Sequence, residues 1–454
     1  NRQITLNARD FLHNYGLIQG VTYLDIKSIM GYVYNHASGV IRATGGNIDL
    51  STGQANLQID GDTNGQKKEE YRKFTPIIIE GKVEATSDDD DNNQTKEGNI
   101  EIKAYLGDIY VNGATIETKP ELGTNGEVKA VAGNVILDAA QNITIGFKTE
   151  QAKADDPTTQ AGPNGENKDK YERDDEREYF VNTSTLSQKA AEISGSNITL
   201  ISGSGKTISM STVNNTLTAS KAITINTDSM NIVGGTFNAG TLEAKLAENG
   251  ALNITGGTIN AGNVTSNRAL SISGGTVGKN DSALSIIGTV DVSIGSDAIV
   301  RTSSDMSIAS DEGTVTNNSE LNISGSVSLS GKTDVTNSAN ITASKYVSMT
   351  ATTGKVNNSK VVKANGGNIN LTGGTSINLQ EGYGLEASDT INLTTDNMQI
   401  TSGTIKANTL AASEALTLTG GTINAANISA GSNLSHNGAI ITADNDVTIS
   451  AGNN

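Results

Sequence analysis

The chain has 454 residues, no cysteine and a formal net charge of −17. The missing cysteines exclude disulfides, thiolate nucleophiles and cysteine-based metal sites, and the acidic balance without a basic stripe argues against nucleic acid as a partner. No apolar run approaches the roughly 18 residues that a membrane-spanning helix requires, so no membrane span is expected. With 50 Gly, five Phe and no Trp, the composition favours thin, closely spaced strands of Ile, Val, Leu and Ala over a thick aromatic core.

Residues 1–180 differ in composition from the rest of the chain. They contain all four prolines and 13 of the 16 Phe and Tyr residues. Tyr15, Tyr23, Tyr32 and Tyr34 fall in the earliest strand-like segments. We expect specific recognition near these tyrosines or in two charged insertions, because both depart from the Thr, Ser and Asn surface that dominates elsewhere. The sequence does not identify the receptor or glycan.

The two insertions cover about 61–97 and 149–178. Their composition is typical of exposed loops or disorder, and a solenoid accepts such segments at its turns. Within the first insertion, "PIIIEGKVEAT" reads as strand. The second is predicted to be an appendage outside the stack of coils.

The first insertion also carries a weak calcium candidate, the run Asp88, Asp89, Asp90 and Asp91. Carboxylate oxygens suit a hard cation such as Ca²⁺. The run lacks the alternating ligands and central glycine of a calcium loop, so a solvated acidic turn is favoured. We expect no cofactor.

Residues 181–454 are predicted to form a regular repeat. The phrase "ALNITGGTINA" at 251–261 returns as "ALTLTGGTINA" at 415–425. Gly-Gly-Thr recurs at Gly234, Gly256, Gly274, Gly373 and Gly420. A second phrase, in which Asn precedes Ile or Val by four residues, begins at Asn14, Asn337, Asn358 and Asn437. Both phrases recur with a period close to 20 residues, which indicates a repeat architecture.

Within each repeat the apolar residues alternate with polar ones, which predicts strands with one buried face. Leu252 and Ile254 should point inward, and Asn253 and Thr255 outward. A unit of about 20 residues holds two or three short strands and cannot bury its own apolar face, so neighbouring units must cover it. The sequence therefore predicts an all-β protein, a parallel β-helix of roughly 18–19 coils with charged loop insertions.

The asparagines and histidines allow two interpretations each. A stacked Asn can form a hydrogen-bonded ladder with its equivalent in the next coil, or it can simply tolerate a left-handed turn. The Asn-x-Ser/Thr matches at Asn197, Asn253, Asn340 and Asn427 are better explained by strand alternation than by glycosylation. The histidines His13, His36 and His436 are interpreted as turn-region side chains. Since no catalytic motif is present, we expect no enzyme activity and no catalytic residues.

The phrases "LHNYGLIQG", "VTNSANITA", "VNNSKVVKA" and "SHNGAIITADNDVTISA" resemble repeats of filamentous haemagglutinin-type adhesins, large bacterial exoproteins that often use two-partner secretion. The resemblance extends over most of the chain outside the two insertions. It implies a right-handed β-helical shaft, a location outside the cell or on the bacterial surface, and export through an outer-membrane transporter. It also implies roles in adhesion, biofilm formation or display, and it transfers no catalytic residues.

Three functions follow as hypotheses. The first is a structural shaft segment of a secreted or surface-anchored adhesin. The second is a β-helical polysaccharide lyase or hydrolase, which requires Asp or Glu at equivalent positions of successive coils, whereas residues 181–454 offer mostly Thr, Ser and Asn. The third is a subunit of a self-assembling extracellular fibre. Both ends of the sequence read as repeat coils, so we expect the chain to continue in the native protein, with end-to-end or lateral self-association of copies as the alternative.

Overall fold

The computed structural model describes residues 3–53, 75–90, 94–146, 149–153, 178–182, 189–211, 214–380, 382–443 and 446–453. Within these ranges the chain forms β-strands and no helix. It divides into two compact units, Asn1–Asn238 and Ala239–Asn454. Each unit is a β-solenoid of parallel strands, which confirms the predicted fold class. The unit boundary lies further along the chain than the compositional change at residue 180.

Each turn of a solenoid contributes one strand to each of three stacks, called here the first, second and third. In unit 1 the first stack contains Gln3–Ala8, Tyr23–Ser28, Asn47–Thr52, Ile100–Ala104, Val135–Ala139 and the later halves of Glu192–Ser202 and Thr216–Thr227. The second contains Leu12–Asn14, Val33–Asn35, Ile77–Ile79, Ile109–Val111, Ile143–Ile145, Ile208–Met210 and Met230–Ile232. The third contains Leu17–Gly20, Val40–Ala43, Lys82–Thr86, Thr115–Lys119, the earlier halves of the two long strands, and Thr236–Asn238.

Unit 2 repeats this arrangement without long insertions. Its first stack contains Thr241–Leu246, Asn263–Ser266, Leu284–Gly288, Met306–Ser310, Val327–Gly331, Val347–Ala351, Ile369–Gly373, Thr390–Thr394, Thr409–Ala412, Asn427–Ala430 and Thr448–Ala451. The second contains Ala251–Ile254, Ala269–Ile272, Val292–Ile294, Val315–Asn317, Val335–Asn337, Lys355–Asn358, Ser376–Leu379, Asn397–Ile400, Ala415–Leu418 and Leu434–His436. The third contains Thr258–Asn260, Thr276–Val277, Ile299–Val300, Leu321–Ile323, Ile341–Ala343, Val361–Ala364, Gly384–Ala387, Thr404–Lys406, Thr422–Asn424 and Ile440–Thr442.

The two units together contain about 17 turns, slightly fewer than the 18–19 predicted. The difference arises in unit 1, where more of the chain leaves the stack than the two charged insertions suggest. Among the residues described in unit 1, three antiparallel strand pairs branch off: Asp88–Asp90 with Gln94–Lys96, Glu121–Leu122 with Val128–Ala130, and Thr149–Lys153 with Glu178–Asn182.

The predicted insertions have different outcomes. In the first, Ile77–Ile79 and Lys82–Thr86 belong to the stacks, as the strand-like sequence indicates. In the second, the pair Thr149–Lys153 and Glu178–Asn182 forms a sheet separate from the stacks. Residues 61–74 and 154–177 lie outside the described residues.

The core of each unit is a column of alternating aliphatic side chains. Leu252 and Ile254 have no exposed surface, whereas Asn253 is partly exposed and Thr255 exposed, as predicted. Ile254 lies opposite Ile272 in the next coil. The same residue type therefore meets itself from coil to coil, and the interior is filled by thin layers of Ile, Leu and Val, which close-pack without large aromatic residues.

Candidate functional site

The predicted repeat residues occupy two kinds of corner. Gly234, Gly256, Gly274 and Gly420 each lie between a second-stack strand and a third-stack strand. The glycines that follow them, including Gly275 with φ 75°, adopt positive φ. A Cβ on Gly275 would lie 2.7 Å from the carbonyl oxygen of Gly257, so this corner requires glycine for both space and conformation. Gly373 differs, because it ends a first-stack strand at another corner.

The asparagines form internal ladders. Asn317, Asn337 and Asn358 are buried at the ends of successive second-stack strands. The Nδ2 of Asn317 donates to Asn337 Oδ1 at 2.8 Å, and Asn337 Nδ2 donates to Asn358 Oδ1 at 2.8 Å. Asn14 is buried in the same way and donates to Asn35 Oδ1 at 2.8 Å. At these positions the ladder interpretation is confirmed.

Asn437 lies outside this pattern. It is exposed and follows the strand Leu434–His436, so His436 occupies the strand end. The Nε2 of His436 lies 2.8 Å from the carbonyl oxygen of Ala439. The sequence phrase around Asn437 is thus shifted by one residue relative to the strand, and the neighbouring coil carries Leu418 opposite the strand end, so no asparagine ladder forms here.

The early tyrosines form part of an aromatic array on the outer face of the second stack in unit 1. His13 lies opposite Tyr34 in the parallel register. Alternate residues of the two adjoining coils carry the rings, and the array comprises Phe11, His13, Tyr15, Tyr32, Tyr34 and His36. Tyr23 is not a member, since it begins a first-stack strand. The predicted recognition surface is therefore one contiguous array plus a separate tyrosine.

His36 is the centre of the array. Its ring stacks between Tyr15 and Tyr34, with centroid distances of 3.7 and 3.6 Å. His13 Nδ1 lies 2.7 Å from His36 Nε2, so one of the two nitrogens carries a shared proton. Burial, reinforced by the charge of His13, lowers the pKa of His36 to about 4. His36 is neutral at pH 7 and joins two coils, while Phe11 and Tyr15 expose 49% and 63% of their surface.

The weak calcium candidate lies in the strand Asp88–Asp90, where Asp88 pairs with Lys96. Asp91 lies outside the described residues. Across the residues whose positions are described, no group of three or more Asp, Glu or His side chains is placed to hold a metal ion. The structure thus places Asp88–Asp90 in a strand where the sequence favoured an acidic turn, and calcium binding stays untested.

A carboxylate column on the first stack of unit 1 escaped the sequence analysis. Asp25 lies opposite Asp49, and Asp49 lies opposite Glu101, so three acidic residues occupy equivalent positions of three successive coils. The spacing is about 4.8 Å per coil. An insertion separates Asp49 from Glu101 by more than twice the usual period, so no repeat phrase connects them. A strand-by-strand alignment of "LDI", "IDL" and "IEI" is the signal that finds the column.

Side chains next to the column bear on its charge. Lys27 Nζ lies 3.0 Å from Asp25 Oδ2, and the hydroxyl of Tyr23 donates to Asp49 Oδ2. Burial, the hydrogen bond to Asp49 and the negative charge of the column raise the pKa of Tyr23 above its ordinary value. Tyr23 thus stays a protonated hydrogen-bond donor beside the carboxylates.

A network of ion pairs braces the third stack of unit 1. Glu84 contacts Lys82, Lys119 and Arg42, with Lys119 Nζ 3.0 Å from Glu84 Oε2. Burial alone would raise the pKa of Glu84, but hydrogen bonds from Lys82 and Lys119 outweigh it and hold the pKa at about 2. The network extends to Glu117, which contacts both lysines, and so connects adjacent coils.

Comparison of the chain with protein-family models, curated proteins and solved structures gives no match. Among the residues that the structure describes, no helix has the length and apolarity needed to cross a membrane.

Proposed function

We propose that this chain is a shaft segment of a secreted or surface-anchored bacterial adhesin of the filamentous haemagglutinin type. The observation that carries the proposal is the continuous parallel pairing of first-stack strands within each unit. In unit 2, for example, Val327–Gly331 pairs with Val347–Ala351 residue for residue, and that strand pairs with Ile369–Gly373 in the same way. A shaft requires this regularity, because its load passes from each coil to the next.

Three features support a mechanical role. Backbone hydrogen bonds join each coil to its neighbour along the first stack, the buried asparagine ladders add side-chain bonds between coils in the second stack, and the ion pairs around Glu84 do so in the third stack of unit 1. Within most strands, buried aliphatic side chains alternate with outward-facing polar ones. Stability in such an array is roughly a sum of coil and nearest-neighbour terms, so length can increase without a larger core.

The proposed location is outside the cell, and the proposed partner during export is an outer-membrane transporter. The absence of cysteine means that folding outside the cell needs no disulfide formation. Each coil becomes stable when the next covers it. A chain that emerges in an extended state could therefore fold coil by coil.

A shaft must hold its far end away from the cell surface, and this property can be tested. The chain is placed between an outer-membrane anchor and a peptide tag on encapsulated bacteria, and capture by antibody-coated beads is measured. We expect the tag to become accessible with the wild-type chain and to be hidden in the variant Ile272→Asp, which breaks a buried stack. Equal capture with the chain deleted would contradict the proposal.

The carboxylate column favours a second candidate, a polysaccharide lyase or hydrolase. That hypothesis requires acidic residues at equivalent positions of successive coils, and Asp25, Asp49 and Glu101 meet the requirement. The sequence argued against such a row of acidic residues only in residues 181–454. The carboxylate column lies before that region.

Incubation of the protein with neutral and acidic polysaccharides distinguishes the shaft from the lyase or hydrolase. Reducing ends and the absorbance of unsaturated uronates report hydrolysis and elimination. The shaft proposal expects no turnover. Turnover that disappears in Asp49→Asn but persists in Asp311→Asn, a change at an exposed acid of unit 2, would establish the enzyme instead.

A further inference from the structure

A groove of about 400 Å³ opens on the surface of unit 2, at the corner between the third and first stacks. Its lining residues come from three successive turns: Lys345, Tyr346, Gly366, Gly367, Asn368, Asn370 and Asp389. The side chains in the groove are mainly polar, with one exposed aromatic ring.

The groove exists because one turn carries two consecutive glycines and therefore lacks side chains at those two positions. Ser344, Lys345 and Tyr346 connect Ile341–Ala343 to Val347–Ala351, and the following turn at the same corner carries Gly366 and Gly367. A Cβ on Gly366 would lie 2.5 Å from the carbonyl oxygen of Ser344. The two glycines therefore lie directly against the preceding turn, and a Cβ on Gly367 would lie 3.7 Å from the Cβ of Tyr346.

Tyr346 supplies one wall. Its side chain is 47% exposed, although its backbone is fixed in the stack because the carbonyl oxygen accepts from the N–H of Val327 at 3.0 Å. A tyrosine held at its backbone and exposed at its ring offers an apolar face with a polar tip. Such a face suits the C–H surface of a sugar ring.

The amides provide oriented donors. Asn368 Oδ1 accepts from the N–H of Thr390 at 3.1 Å, and Asn370 Oδ1 accepts from Asn392 Nδ2 at 2.7 Å. These bonds occupy both carbonyl oxygens. In the described part of the chain neither Nδ2 donates to a protein group, so both amides keep N–H donors for a ligand.

Charges of both signs complete the lining. Lys345 Nζ lies 3.4 Å from Asp305 Oδ1, and it has further N–H donors beyond that pair. Asp389 is an acceptor, and its Oδ1 receives a bond from the Thr390 hydroxyl at 3.3 Å. A hydroxyl group both donates and accepts, so it can use the donors and the carboxylate together. A purely anionic ligand would gain nothing from Asp389, nor a cation from Lys345.

We infer that this groove binds a pyranose ring of a glycan, with the sugar stacked on Tyr346 and its hydroxyl groups bonded to Asn368, Asn370 and Asp389. Lys345 extends the same site to a sugar that carries a carboxylate. The inference rests on unit 2 alone and holds whether or not the chain serves as a shaft.

Binding is measured by saturation-transfer NMR on the full chain, with methyl glycosides of glucose, galactose, N-acetylglucosamine and glucuronate as probes. We expect at least one probe to bind, and Tyr346→Ala to weaken it about tenfold. Tyr346→Phe should keep affinity within about twofold, because the ring face remains. Tyr105→Ala, at an exposed tyrosine of unit 1, is the matched control and should bind like the wild type.

Variants of the polar residues distinguish binding of neutral sugars from binding of an acidic sugar. Asp389→Asn should weaken the neutral glycosides more than glucuronate, whereas Lys345→Met should selectively weaken glucuronate. Thermal unfolding of each variant verifies the fold, since Tyr346 and Asp389 are surface residues. Absence of binding by all four probes, or binding that Tyr346→Ala leaves unchanged, would overturn the inference.

Discussion

The strand register in unit 2 predicts that a carboxylate placed at two adjoining residues will have very different effects on the stability of the protein. Ile272 has no exposed surface and lies between Ile254 and Ile294 of the neighbouring coils. Ser271 is partly exposed on the outer face of the same strand. We expect Ile272→Asp to destabilise the protein strongly and Ser271→Asp to have almost no effect.

The magnitude follows from the two environments. Truncating a buried Ile costs about 2–5 kcal/mol. Placing an unpaired carboxylate there adds several kcal/mol, whether the group stays charged or is protonated. The sum, at least about 5 kcal/mol, is comparable to the whole stability of an ordinary domain. Ser271→Asp should stay within about 0.5 kcal/mol, as surface changes usually do.

Urea titration of the full chain, followed by far-ultraviolet circular dichroism, measures both variants. With a slope of about 2–3 kcal/mol per molar urea, Ile272→Asp should lower the unfolding midpoint by about 2 M or prevent folding. Ser271→Asp should coincide with the wild type. Equal losses from the two variants would refute the assigned register.

Three further outcomes are expected. Asn337→Ala should cost about 1–3 kcal/mol, because it leaves buried amide groups of the ladder without partners, whereas the partly exposed Asn357→Ala should cost less than about 1 kcal/mol. The folded-state pKa of Glu84 lies below its unfolded value, so the stability that Glu84 contributes is present above pH about 4.5 and is lost as the pH falls toward about 2. Glu84→Gln should flatten that part of a plot of urea midpoint against pH. If the plots for the variant and the wild type run parallel, the low pKa of Glu84 is excluded. His36 binds its proton more readily when the protein is unfolded, so the free energy of unfolding should fall as the pH drops from about 6.5 to about 4. His36→Phe should reduce that fall, because phenylalanine keeps the ring between Tyr15 and Tyr34 but binds no proton. An unchanged fall would show that His36 stays solvated.

The sequence determined the local features of this protein. Alternation around Leu252 and Ile254 was sufficient to assign strands and their buried face, because that pattern depends only on the two-residue period of a strand. The Gly-Gly corner at Gly274 was readable for a similar reason, since positive φ is a property of a single residue. A period near 20 then required neighbours to cover each coil, which determined the parallel β-helix.

Only the tertiary structure decided which residues of different coils become neighbours. In unit 2 the period is regular, and Asn337 meets Asn358 as their spacing indicates. In unit 1 insertions vary the coil length, so Asp49 meets Glu101 far along the chain. The shift that leaves Asn437 outside a ladder is equally invisible in its phrase, which matches the others.

The groove beside Tyr346 has the same origin. Its residues are ordinary when read one at a time, and the two glycines at 366 and 367 resemble corner glycines elsewhere in the sequence. Their effect depends on the turns above and below, which carry Tyr346 and Asp389. Strand alternation is local and is written in each segment, whereas contact between coils depends on where the chain re-enters the stack, and that is fixed only when all coils pack together.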